Sequence, residues 1–119
     1  MPWNLTVRTG GKVSRARFDE LTAALEAVED EASSAAENAP RKPVDAKIRT
    51  FEPAQLVVAR VELTGPERLL PKVKAGIDVR GDGSSEAYLG GVRRKLIDQR
   101  RRETPVDALR RTLADAGIT

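Results

Sequence analysis

Two adjacent glycines, Gly10-Gly11, lie between two runs that mirror each other, and this feature constrains the fold more tightly than any other. Before them, Trp3, Leu5 and Val7 alternate with Asn4, Thr6 and Arg8, the period of two of a strand with one buried face. Two glycines suit a two-residue hairpin connection, whose central positions call for positive φ. Closing the turn there sets Thr9 opposite Lys12, Val7 opposite Ser14, Leu5 opposite Ala16 and Trp3 opposite Phe18. The apolar partners then share one face, and a slip of one residue would turn them to the other.

From Asp19 the period changes. Leu21, Leu25, Val28 and Ala32 recur at spacings of three and four, with Glu26, Glu29, Asp30 and Glu31 displaced to the opposite side, which predicts an amphipathic helix. Asp19 is positioned to cap it, and Asn38-Ala39-Pro40 to end it. Extended structure follows. Val44, Ala46 and Ile48 alternate up to about Phe51, and 54–64 is the most β-like segment. There Val57, Ala59, Val61 and Leu63 read as one face, with Leu56, Val58, Arg60 and Glu62 as the other.

Val73, Ala75, Ile77 and Val79 predict a further strand, turned by Gly81-Asp82-Gly83-Ser84 into a return arm that reaches Leu89. Residues 90–102 fit both strand and helix: Tyr88, Val92 and Leu96 have helical spacing, while Gly90-Gly91 opposes it at roughly 1 kcal/mol per glycine. Thr104-Pro105-Val106-Asp107 is a helix start, with a capping hydroxyl, a proline at the first helical position and a carboxylate three residues after the cap. Gly117 is placed to end that helix. The expectation is an α+β fold with an antiparallel sheet of about five to six strands, order β-β-α-β-β-β-β-α, and helices packed on one face. The 119 residues, 1–119, suit a single domain.

Composition narrows the chemistry. With no cysteine and no histidine, the chain has no disulfide, thiolate nucleophile, imidazole base or Cys/His zinc site. No basic region leads into an apolar run near Met1, and no stretch approaches the ~20 apolar residues of a membrane span, so a cytoplasmic protein with no membrane association is expected. The net charge of +3 invites a polyanion, although the arginine bias of the chain would raise it without any such partner.

The sharpest local feature is the basic segment 92–102, continued by Arg110 and Arg111. Guanidinium groups gathered on one surface would neutralise phosphates, whereas the plainer reading is a solvated surface that keeps the domain soluble. Arg80-Gly81-Asp82 reads as a hairpin turn. Asp78, Asp82 and Glu86 flank that turn and are the carboxylates nearest to a metal set, without EF-hand spacing. Asp45-Ala46-Lys47 is similar to the carboxylate-x-lysine element of metal-dependent nucleases but lacks an acidic partner in a preceding strand. Ser14, Ser84 and Ser85 have no base beside them.

Poverty of catalytic residues and the two-faced apolarity of 54–64 lead to the expectation of a non-enzymatic interaction module, homodimeric or with a protein partner, using an outer sheet face around Leu56, Val58 and Arg60. No cofactor and no metal ion are expected. The alternative is binding of nucleic acid or another polyanion through Arg93, Arg94, Lys95, Arg100, Arg101 and Arg102. The third is a carboxylate-dependent metal enzyme using Asp78, Asp82 and Glu86.

Overall fold

A computed structural model describes residues 3–39, 44–45, 50–51, 56–65, 73–90 and 95–116. In chain order the elements are β1 (Trp3–Thr9), β2 (Lys12–Phe18), α1 (Leu21–Glu37), β3 (Val44–Asp45), β4 (Thr50–Phe51), β5 (Val57–Gly65), β6 (Val73–Arg80), β7 (Ser85–Leu89), β8 (Lys95–Leu96) and α2 (Pro105–Asp115). Six strands form one antiparallel sheet in the order β2-β1-β5-β6-β7-β8, and β3 pairs only with β4 among the described residues. The fold is α+β, as the patterning predicts.

The opening hairpin takes the predicted register, from Thr9↔Lys12 to Trp3↔Phe18. Its turn uses one of the two glycines differently from expectation: Gly10 has φ +59°, while Gly11 lies outside the left-handed region. Positive φ at the first central position alone is the pattern of a type II′ turn, which matches the twist of the two strands.

One face of the sheet carries Trp3, Leu5, Ala59, Val61, Leu63, Ala75, Ile77, Val79 and Ala87, all buried and in one cluster with both helices. Alternation places them there: β1, β5, β6 and β7 each contribute every second residue. Leu21, Ala24, Leu25, Val28 and Ala32 of α1 and Val106, Leu109 and Leu113 of α2 supply the facing layer. Burying a Val, Leu or Ile side chain contributes about 1.5–3 kcal/mol, so this aliphatic layer holds the fold with few aromatic rings.

Local details depart from the sequence reading where the chain turns. The N-cap of α1 is Glu20 rather than Asp19, without a side-chain cap bond. At the other end Asn38 donates twice to the Ser34 carbonyl, from its backbone N at 3.1 Å and from Nδ2 at 2.9 Å. Instead of one strand from Val44 to Phe51 there are two short ones, paired Val44↔Phe51 and Asp45↔Thr50. Thr104 and Asp107 form the predicted capping box at the start of α2, each side chain taking the other's backbone N–H at 3.1 Å. Its C-cap is Ala116, and Gly117 lies outside the described residues.

The outer face of the sheet, away from the helices, is built of charge pairs. Arg60 Nε donates to Asp78 Oδ1 at 2.7 Å across directly paired positions. Arg8–Glu62 and Arg80–Glu86 pair at 3.4 Å. Tyr88 lies on the same face at 3% exposure, over Gly76, its partner on β6.

Candidate functional site

A β-bulge divides the residues expected to form an apolar outer patch between the two faces of the sheet. Between Val57↔Arg80 and Ala59↔Val79 the register shifts, so Val58 is an extra residue in a β-bulge. The bulge reverses the phase of the strand: Val58 packs on the core side with Val7 and α1, and Val57 takes the outer position at 42% exposure. Leu56 precedes the strand, half-buried, and its carbonyl accepts from Gly81 N at 2.8 Å. Arg60 does face outward but is held by Asp78, which raises the pKa of its guanidinium through their hydrogen bond. The three large apolar side chains exposed among the described residues, Val13, Val57 and Leu96, belong to three different strands.

The carboxylates considered for a metal ion are each engaged separately. Asp78 binds Arg60 and Glu86 meets Arg80. Asp82 accepts from the Ser84 hydroxyl at 2.6 Å and the Ser84 amide at 2.9 Å, an Asx-type turn whose bonds, the hydroxyl's first, hold its carboxyl below the usual range. No three His, Cys, Asp or Glu side chains converge among the described residues. Lys47 lies outside them, so the Asp45-Ala46-Lys47 element is not described as a unit. No helix among the described residues is long and apolar enough to cross a membrane.

Two surfaces remain open. The first is β2, an edge strand of seven residues that among the described residues pairs with β1 only. Only Phe18 reaches the core cluster, and the other six residues are exposed. A two-residue turn makes Thr9↔Lys12 a hydrogen-bonded pair, and antiparallel alternation then points the N–H and C=O groups of Val13, Arg15 and Arg17 away from β1. The same three side chains share the outer face. β2 carries Lys12, Arg15 and Arg17 and no carboxylate, while α1 carries five carboxylates and no cation.

The second surface is the loop between β8 and α2. Arg93 and Arg94 lie outside the described residues, whereas Lys95, Arg100, Arg101 and Arg102 are all exposed. The loop is organised by Glu103, which the sequence reading did not single out, and by Arg111, which it counted with the basic segment. Glu103 accepts the Arg100 amide at 2.7 Å and both forks of Arg111 at 2.8 and 3.0 Å. Arg111 also donates to the Asp98 carbonyl at 2.9 Å, and Gln99 Nε2 to the Glu103 carbonyl at 2.8 Å. The Arg111 guanidinium, then the Arg100 amide, lowers the pKa of the Glu103 carboxyl. The available signal was that Glu103 is the sole carboxylate between Asp98 and Asp107, directly after three consecutive arginines.

Comparison of the chain with protein-family models, with curated proteins and with solved structures gave no match, so these surfaces are read from their own geometry.

Proposed function

We propose that the chain is a non-enzymatic protein-binding module that takes an extended, acidic segment of a partner protein along the free edge of β2. The observation that carries this reading is the edge itself: seven residues without a bulge or proline, exposed on both faces. Sheets usually blunt such edges by shortening, bulging, covering or charging them. Here charge is the only device in use, and its sign is uniform.

Uniform charge selects the occupant. A second copy paired antiparallel through β2 would bring Arg15 and Arg17 against the same two residues, and like charges facing each other across strands destabilise the pair. An acidic strand gains main-chain bonds from Val13, Arg15 and Arg17, with specificity from guanidinium–carboxylate pairs on the outer face. This moves the interaction surface from the face around Val58 to the edge, and replaces a homodimer with a different protein partner.

The test uses a nine-residue peptide of alternating glutamate and valine, with a lysine–valine peptide as control. Amide shifts should concentrate on Val13, Arg15 and Arg17, and only the acidic peptide should bind. Arg15→Pro removes an outward N–H without taking a donor from the β1 ladder, so it should abolish binding while the hairpin persists. Equal binding of both peptides, or shifts centred away from β2, would overturn the proposal.

A further inference from the structure

We propose that the turn Arg100–Glu103 is a second binding site, for the phosphates of nucleic acid, with Arg101 and Arg102 as the contacting side chains. Glu103 N donates to the Arg100 carbonyl at 3.0 Å, which closes a four-residue turn with Arg101 and Arg102 at its centre. Arg102 has φ +69° and is the one non-glycine residue with positive φ among the described residues. Positive φ at the third position defines a type II turn, where glycine or asparagine is the expected residue. Here the chain spends local stability to hold an arginine at that position.

Packing does not explain the choice, because Arg102 is exposed and, among the described residues, neither it nor Arg101 makes a hydrogen bond or ion pair. A strained residue at an exposed tip calls for a reason outside the fold. The base of the turn, in contrast, is fixed. The single carboxylate beside it, Glu103, is already taken by Arg111 and the Arg100 amide, and Arg111 ties the loop back to Asp98. The tip therefore presents two guanidinium groups with no carboxylate partner among the described residues, on a backbone whose geometry is set in advance, next to exposed Arg100.

Planar guanidinium groups suit phosphate oxygens, and each phosphate neutralised releases counterions, which makes binding weaken with salt. The turn itself, residues 100–103, carries no apolar or aromatic side chain to enter a bilayer, which favours nucleic acid over an anionic membrane. Nor does it offer a ring for base stacking, since Tyr88 is buried in the sheet, so the contact expected is to the backbone and independent of sequence.

The experiment measures fluorescence anisotropy of a labelled 16-base-pair DNA duplex and a 16-nucleotide single strand with the full chain from 50 to 200 mM salt. Sedimentation with phosphatidylserine vesicles runs in parallel. The wild type should bind at least one nucleic acid at low salt. Arg102→Gly should weaken that binding several-fold and reduce the slope of log K against log salt by about 0.9, while the urea midpoint rises or holds. Arg101→Gln with Arg102→Gly should lower the slope by about twice that amount, and Arg17→Gln at the opposite edge should change neither affinity nor slope. Binding to neither nucleic acid, binding to vesicles alone, or equal losses from Arg17→Gln and Arg102→Gly would each overturn the proposal.

Discussion

Replacing Gly76 with alanine is the substitution the sheet should tolerate least. Gly76 faces Glu62 on β5 and Tyr88 on β7, in the middle of the sheet. A Cβ there would overlap the Val61 carbonyl oxygen and lie 2.6 Å from Tyr88 Oη and 2.8 Å from Cζ. In an open strand the same change would gain about 0.5–1 kcal/mol, because alanine loses less backbone entropy than glycine. Overpacking costs about 1–3 kcal/mol. The Tyr88 ring can swing away only by giving up its burial, and the Val61 carbonyl can move only by parting β5 from β6. That places the cost at the upper end, near ~3 kcal/mol, and for a chain of this size corresponds to a fall in Tm of about 10 °C.

Urea denaturation of Gly76→Ala, Tyr88→Leu and the double variant separates the two contacts. Leucine at 88 removes Oη and Cζ, so the alanine should cost about 1–2 kcal/mol less in that background, the remainder coming from the Val61 carbonyl. A neutral or stabilising Gly76→Ala would refute the close approach of the strands. An equal cost with and without the ring would refute the placement of Tyr88 over Gly76.

Three further outcomes follow from local geometry. Gly10→Ala should cost about 1–2 kcal/mol from backbone strain alone, since nothing lies within 4 Å of the added Cβ, whereas Gly11→Ala should be neutral or gain up to ~1 kcal/mol in urea denaturation. Thr104→Ala, which removes one half of the capping box, should cost about 1 kcal/mol by the same assay. The Glu103 carboxyl has a folded pKa below its ordinary 4.5, so its contribution to holding the loop is complete above 4.5 and is lost as pH falls through the lower folded value. The pH titration of the Arg100 amide shift should therefore have its midpoint below 4.5, and should vanish in Glu103→Gln; a midpoint at or above 4.5 contradicts the Glu103–Arg111 arrangement.

How far the sequence discloses this structure depends on whether a residue's position is set locally. The hairpin register is legible because Gly10-Gly11 pins it and only one pairing puts Trp3, Leu5 and Phe18 together. The start of α2 is legible because Thr104, Pro105 and Asp107 lie within one turn. The bulge is not, since Leu56, Val57, Val58 and Ala59 are four apolar residues in succession and either phase of alternation fits them. The order of 97–103 is hidden for a different reason. It depends on Arg111, eight residues beyond Glu103 on the following helix, and arginine repetition alone does not say which guanidinium is structural and which is free. Arg111 proves to be the structural one and Arg101 and Arg102 the free ones, a division that only the folded chain makes.

That division bears on whether the two basic surfaces work as one. β2 and β8 are the opposite edges of a six-stranded sheet, five strand spacings or about 24 Å apart, against a screening length of about 8 Å at physiological salt. Among the described residues the outer face between them carries Arg8–Glu62, Arg60–Asp78 and Arg80–Glu86, pairs that cancel locally, with Lys74 the exposed cation beside them. The net charge of +3 thus conceals a segregation: basic residues at the two edges, and the five carboxylates of α1. Neutralising Arg15 and Arg17 should weaken the acidic peptide without changing duplex affinity at about 0.15 M salt, and neutralising Arg101 and Arg102 should do the reverse. Isothermal titration of each variant with each ligand gives four numbers. If every neutralisation weakens both ligands alike, attraction follows overall charge rather than position, and both edge assignments fall together.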